Sequence, residues 1–202
     1  MSEIKVNKIS PATSTDITLG DSGDTFTVPS GATIVNSGTA TGFGGGGVLQ
    51  LKTAYKQDTF TVAGNSGTWT DVTGMTVDIT PTLSTSKILV HLSTRIGNTS
   101  SGYGGIVRIL RDSTVIMAGT AVSNRNAALY GAQLVGTGVL FDVNATYLDN
   151  PATDSAVTYK LQGMGETAST FTLNRTGADQ DINYLGRYPT TLTVMEIAVG
   201  VL

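Results

Sequence analysis

Residues 17–47, ITLGDSGDTFTVPSGATIVNSGTATGFGGGG, constrain the fold more than any other stretch of the chain. The apolar side chains arrive singly or in alternation: Ile17 and Leu19, Phe26 and Val28, then Ile34. Turn residues separate them, as Gly20-Asp21-Ser22-Gly23, Pro29-Ser30-Gly31 and Asn36-Ser37-Gly38. The pattern predicts very short strands joined by tight turns. Each such strand offers too little apolar surface to offset a backbone ordering cost of roughly 1–2 kcal/mol per residue. The segment can therefore order itself only by burying those side chains against copies of itself, as the shaft of an oligomeric fibre.

Gly23, Gly31 and Gly38 lie eight and seven residues apart. A repeat of that length suits a β-spiral or β-helical coil in which every chain contributes one edge per layer. Three chains wound together would bring Leu19, Phe26, Val28 and Ile34 to the axis. The Gly/Ser/Thr-rich composition also fits a disordered linker; the regular placing of the apolar residues favours the ordered coil.

The chain divides by pattern into four parts. Residues 1–16 form an attachment segment, with Ile4, Val6 and Ile9 on one alternating strand that Pro11 closes. Residues 17–43 are the trimerising shaft, 44–47 a glycine hinge, and 48–202 a globular domain. The hinge is no phosphate-cradling loop, because the alternating VLQLKTAYK that follows is a strand and supplies no helix N-terminus.

The globular part alternates throughout. Met75, Val77 and Ile79 oppose Thr76 and Asp78; Ile88, Val90 and Leu92 repeat the pattern, as do Val157, Tyr159 and Leu161, and Phe171 with Leu173. Arg111-Asp112-Ser113-Thr114 reads as a hairpin turn, and Asp149-Asn150-Pro151-Ala152 as another turn. Residues 126–135, NAALYGAQLV, are the one stretch with a helical alternative. Charged residues make up only 13% of the chain, about half the usual share of roughly 25%. The expected fold is all-β: a short trimeric shaft followed by an antiparallel, jelly-roll-like β-sandwich. The last strand, from Thr190, is apolar on both faces, with Met195, Ile197, Val199 and Val201 opposite Leu192, Val194, Ala198 and Leu202. One face belongs in the core, and the other under a loop or a second subunit. Glu196 shares the face of Leu192 and Val194, and a buried carboxylate there requires an Arg or a backbone donor.

Several function classes are disfavoured. The net charge of −3, without any run of like charges, argues against nucleic acid. No segment reaches membrane-spanning length, and MSEIKVNKIS has no apolar signal core. The expectation is synthesis in a cytoplasm, with cell lysis as one route out. With no Cys and a single His, zinc has no ligand set, and His91, mid-strand, reads as a surface or interface residue. Asp21 and Asp24, like Asp179 and Asp181, resemble fragments of calcium loops without the remaining ligands. No carboxylate pair suggests a glycosidase, and Trp69 reads as packing rather than sugar stacking. No catalytic residue, cofactor or metal is expected. The loop 97–105 is the best receptor-contact candidate, through Asn98, Ser101 and Tyr103.

IKVNKISP, followed by TLGDSGDTFTVPSGATIVNSGTATGFG, resembles the amino-terminal stretch of tail-fibre-like virion proteins of tailed bacteriophages, especially marine and cyanobacterial ones. VDITPTLSTSKILV, LDNPATDSAVTYKLQ, LNRTGADQDINYLGR and TLTVMEIAV look like globular modules of the same group. The resemblance implies a homotrimer assembled in the infected cell's cytoplasm and incorporated in the virion, with other virion proteins as partners and no enzymatic activity. The expected role is a short tail fibre that binds a host-surface glycan or protein. The alternatives are a capsid decoration protein and, third, a polysaccharide depolymerase. The shaft is shorter than that of a typical fibre.

If the shaft is a three-fold coil, Phe26→Asp or Ile34→Asp places a charge near the axis without a partner. Either variant should lower the oligomeric mass while residues 48–202 remain folded; an unchanged mass would make residues 17–43 a linker.

Overall fold

The structure, a computed structural model, describes residues 9–11, 16–35, 47–65, 67–133 and 135–198. The expected head strand at Ile4 and Val6, the glycine hinge before Gly47 and the side chains of Val199, Val201 and Leu202 lie outside the described residues. Two units are distinguished, Met1–Phe43 and Gly44–Leu202.

In the first unit, the first two expected turns form; the third, Asn36-Ser37-Gly38, lies outside the described residues. Asp24 N–H donates to Asp21 O at 3.0 Å and Ala32 N–H to Pro29 O at 3.1 Å. The third residue of each turn is a glycine with positive φ, Gly23 at 96° and Gly31 at 84°, while Ser22 and Ser30 keep negative φ. Both are type II turns, for which glycine at that position is the natural choice. The same turn thus recurs at the eight-residue interval. The expected short strands do not form between residues 16 and 35 of a single chain, because no neighbouring segment offers them a ladder. Leu19, Phe26, Val28 and Ile34 are 62%, 69%, 38% and 49% exposed.

Among its described residues the second unit has eleven strands: β1 (Val48–Lys56), β2 (Phe60–Val62), β3 (Thr70–Ile79), β4 (Lys87–Asn98), β5 (Gly104–Arg111), β6 (Thr114–Ile116), β7 (Tyr130–Gln133), β8 (Phe141–Asp149), β9 (Val157–Gly165), β10 (Phe171–Leu173) and β11 (Thr190–Ile197). Their antiparallel pairing is nested. β1 pairs β11, β2 pairs β10, β3 pairs β9, β4 pairs β8 and β5 pairs β7. The short β6 returns on β5 as a hairpin through Asp112 and Ser113, as expected. The nested ribbon then folds over so that β11 and β10 lie beside β4, and β9 beside β5. The result is a six-stranded sheet facing a five-stranded one, a jelly roll. The candidate helix at 126–135 is instead a loop leading into β7; Tyr130 and Gly131 pair with β5, and tertiary pairing overrides the local pattern.

The inward faces carry the alternation read from the sequence. Ile88, Val90 and Leu92 of β4, Leu192 and Val194 of β11, Met75 and Ile79 of β3, and Tyr159 and Leu161 of β9 are all buried. Phe171 is fully buried, and its ring lies where a Cβ at Gly105 or Gly163 would come within 2.9 or 2.8 Å of it. Those two positions of the second sheet must stay bare for the sandwich to close at that end.

Two polar groups in the interior are fully committed. The Asp149 carboxylate of β8 accepts from Arg111 Nη1 at 2.8 and 2.7 Å and from the buried Tyr159 hydroxyl at 2.7 Å, tying one sheet to the other. Burial and the neighbouring carboxylate push the Tyr159 pKa far up. Glu196 of β11 is fully buried, and its partners answer the expectation of a backbone donor. Thr82 N–H donates at 2.7 Å, Thr82 Oγ1 at 3.0 Å and Gln50 Nε2 at 2.6 Å. Burial alone would raise its pKa, but these donors outweigh it and the net shift is downward. In the single chain the outer face of β11 is half-buried. There, Leu148, Leu89, Met195 and Leu51 form one apolar row across β8, β4, β11 and β1.

Because the folded pKa of Glu196 is depressed, its stabilisation is present above the unfolded value of about 4.3 and is lost as pH falls through the folded one. Glu196→Gln should cost about 1–3 kcal/mol at neutral pH, with the gap to wild type narrowing below about pH 4 in urea melts. Asp149→Ala strands the half-buried Arg111 charge and should cost about 3 kcal/mol; an unchanged urea midpoint would remove the cross-sheet tie from the account.

Candidate functional site

Jelly-roll connections gather at the two ends of the sandwich, and in the second unit one end is built up far more than the other. The loop between β4 and β5 is shorter than the sequence pattern suggests: Gly97-Asn98 and Gly104-Gly105 continue the ladders, leaving only residues 99–103 free of strand. Those residues are braced from several directions. Thr99 N–H donates to Thr170 O at 3.1 Å, and Thr170 N–H returns to Thr99 Oγ1 at 2.9 Å. Ser101 Oγ donates to Val135 O at 2.9 Å, and Gly104 N–H donates to Glu166 Oε2 at 2.7 Å. Asn65 N–H reaches Gly165 O at 3.1 Å. Four connections, those after β2, β4, β7 and β9, are thus stitched into one surface.

This geometry corrects one expected receptor contact and keeps two at the surface. Asn98 is 1% exposed. Its side chain donates to Tyr103 O and accepts from Ser100 N–H and Ser169 Oγ, so it is the internal post of the loop and cannot touch a receptor. A buried amide is held by such bonds because leaving it unpaired is costly. Ser101 and Tyr103 are exposed.

A second, longer excursion leaves β10 and returns to β11. Tyr188 N–H donates to Asn174 O at 3.0 Å, closing residues 174–188 into an Ω-loop. Sequence patterning singled out only Asp179 and Asp181 within this loop; the missed signal was its length without an apolar alternation. Asn174 holds the neck. It is fully buried with φ of 68°, a conformation that Asn tolerates better than most residues. Its Nδ2 donates to Lys56 O and Asp58 O at 3.0 Å, and its Oδ1 accepts from Thr190 Oγ1 at 2.6 Å. Arg95 stacks over the Tyr188 ring at 4.6 Å. A cavity of about 220 Å³ inside the loop is lined by Thr176, Asp179, Asp181, Ile182 and Arg187, among others.

Asp179 lies between Arg175 at 3.5 Å and Arg187 at 2.8 Å. Two guanidinium cations neutralise it. Asp24 accepts the Asp21 N–H at 2.8 Å in the first unit and acts as a turn brace. Among the described residues no group of three or more His, Asp or Glu converges. His91 sits on the outer face of its sheet, 3.0 Å from Thr146 Oγ1. Trp69 is capped by the Arg108 guanidinium at 4.1 Å. Arg108 in turn donates to Gln162, and Gln162 and Lys160 donate to Asp71. Those two bonds, Gln162 first, hold the Asp71 pKa below its ordinary value. Asp71, Asp149, Asp179 and Glu196 are each held by donors or cations.

No family model matches the chain, and no curated protein matches it significantly. Among solved structures, the chain is similar to infectious bursal virus derived T=1 particles, at 12% identity and TM-score 0.39. It is similar to infectious bursal disease virus Gx strain at 13% and 0.40, and to the VP2 subviral particle of infectious bursal disease virus at 12% and 0.37. Each alignment covers 75% of this chain but only 37%, 37% and 38% of the other. The chain therefore spans well under half the length of those chains.

If Asn98 is the post of the loop, Asn98→Ala should release residues 99–103 and expose them to limited proteolysis, with a stability loss of about 2 kcal/mol. Protease resistance equal to wild type would contradict that role.

Proposed function

We propose that the chain is a virion structural protein of a tailed bacteriophage, a short homotrimeric tail fibre or tail appendage that attaches to the host surface. The observation that carries this reading is the exposure of Leu19, Phe26, Val28 and Ile34 on a segment with recurring type II turns. Burying a large apolar side chain is worth about 1.5–3 kcal/mol, and copies of the same segment are the natural cover. The sequence resemblance to tail-fibre-like virion proteins points the same way. The sandwich supplies the other requirement of an adhesin, a set of loops fixed to a rigid scaffold.

Attachment by such a molecule needs no turnover. Three identical sandwiches joined in one trimer raise the effective concentration of each unbound site, so that weak single contacts give firm binding.

Gold labelling of intact virions with an antibody raised against residues 48–202 tests the reading. Label at the tail is the expected result. Label distributed over the head would overturn it in favour of capsid decoration.

A further inference from the structure

A groove runs along the outer face of the five-stranded sheet at the braced end of the sandwich. A cavity of about 540 Å³ is lined by Ile106, Asn124, Arg125, Asn126, Gly131 and Gln133, among others. A second of about 290 Å³ shares Gly104, Ile106, Asn124 and Asn126 with it and adds Met164 and Glu166. The shared residues make the two a single groove, of a size suited to a small ligand.

Its floor is apolar and flat. Met164, Ile106 and Gly131 stand opposite one another on β9, β5 and β7. A Cβ at Gly131 would run into Ile106 Cγ2, so the Ile106 side chain lies over the glycine and supplies the apolar floor there. One wall is the loop between β6 and β7, pinned by Gly119 N–H to Ala128 O at 3.1 Å and by Arg125 N–H to Val122 O at 3.0 Å. That loop presents Asn124, Arg125 and Asn126, whose side chains have no hydrogen bond or ion pair among the described residues. The other wall holds Gln133 and Glu166, whose side chains are tied to Gly102 O in the braced loop and to Gly104 N–H at the start of β5.

We propose that this groove binds one ring of a neutral saccharide. A pyranose has an apolar C–H face for a flat aliphatic floor and a rim of hydroxyls that donate and accept, as carboxamides do. Arg125 and Glu166 are opposite in charge, so the groove selects for neither sign. An extended peptide fits less well: the floor is the face of a sheet whose strands already pair with one another, and strand addition requires an open edge. The proposal rests on the adhesive reading and names the ligand class and the place at which it would act.

The test is saturation-transfer NMR on the full chain with glucose, galactose, mannose and N-acetylglucosamine as their methyl glycosides. The expected result is transfer to ring C–H protons of at least one glycoside. Asn124→Ala/Asn126→Ala should weaken that binding about tenfold or more without changing the melting temperature, and Ala128→Trp should abolish it by filling the groove. No transfer from any glycoside, undiminished binding to both variants, or displacement by a tetrapeptide would each overturn the groove. Attachment of wild-type and variant protein to host cells is measured in parallel. Variants that attach as wild type overturn the groove and leave the adhesive reading standing. Wild-type protein that binds a glycoside through the groove but fails to attach supports the groove and overturns that reading.

Discussion

The fold of the second unit depends on β11 slotting between β1 and β4. That insertion joins the outermost ribbon pair to the middle of the sheet, and without it the nested ribbon would remain an open, two-stranded structure with one face in water. The inward side of β11 is Leu192 and Val194 followed by Glu196, so closure carries a carboxylate into the interior. It is tolerated because Thr82, in the turn between β3 and β4, and Gln50, on β1, supply donors at 2.6–3.0 Å. A buried charge satisfied in this way fixes the relation of three separate segments, since a shift of any one leaves it unpaired.

The same logic governs the loop end. Asn98 and Asn174 are both buried amides whose capacity is spent on main-chain carbonyls, amides and hydroxyls of neighbouring connections. Loops are usually the least constrained part of a domain; here buried posts carry them. A surface that must keep its shape on contact benefits, because less ordering remains to be done on binding. The outer face of the six-stranded sheet has no such posts, and its apolar row across Leu148, Leu89, Met195 and Leu51 is half-exposed.

Much of the fold was legible because strand alternation in this chain is clean. Met75-Val77-Ile79, Ile88-Val90-Leu92 and Val157-Tyr159-Leu161 all point inward as their spacing requires, and the two-residue hairpin at Asp112-Ser113 follows from its turn chemistry. The site was less legible. Asn98 looked like a loop-tip amide because Gly97 suggested that the strand had ended, whereas the strand runs through Asn98 and the amide turns inward. Residues 126–135 carry a helix-compatible pattern, and only pairing with β5 decides against it. The groove beside Asn124 and Asn126 was invisible in sequence, since its floor and walls come from β5, β7, β9 and the loop before β7.

In the first unit, the exposed and regularly spaced apolar groups are, on the proposed reading, covered by copies of the same segment. The absence of cysteine from the chain allows that requirement to be measured directly, because Val28→Cys creates a unique site for a spin label. Pulsed electron spin resonance on the labelled full chain should show one narrow, short distance between chains, with the coupling strength of three spins. A broad distribution, or no coupling at all, would contradict the three-fold shaft.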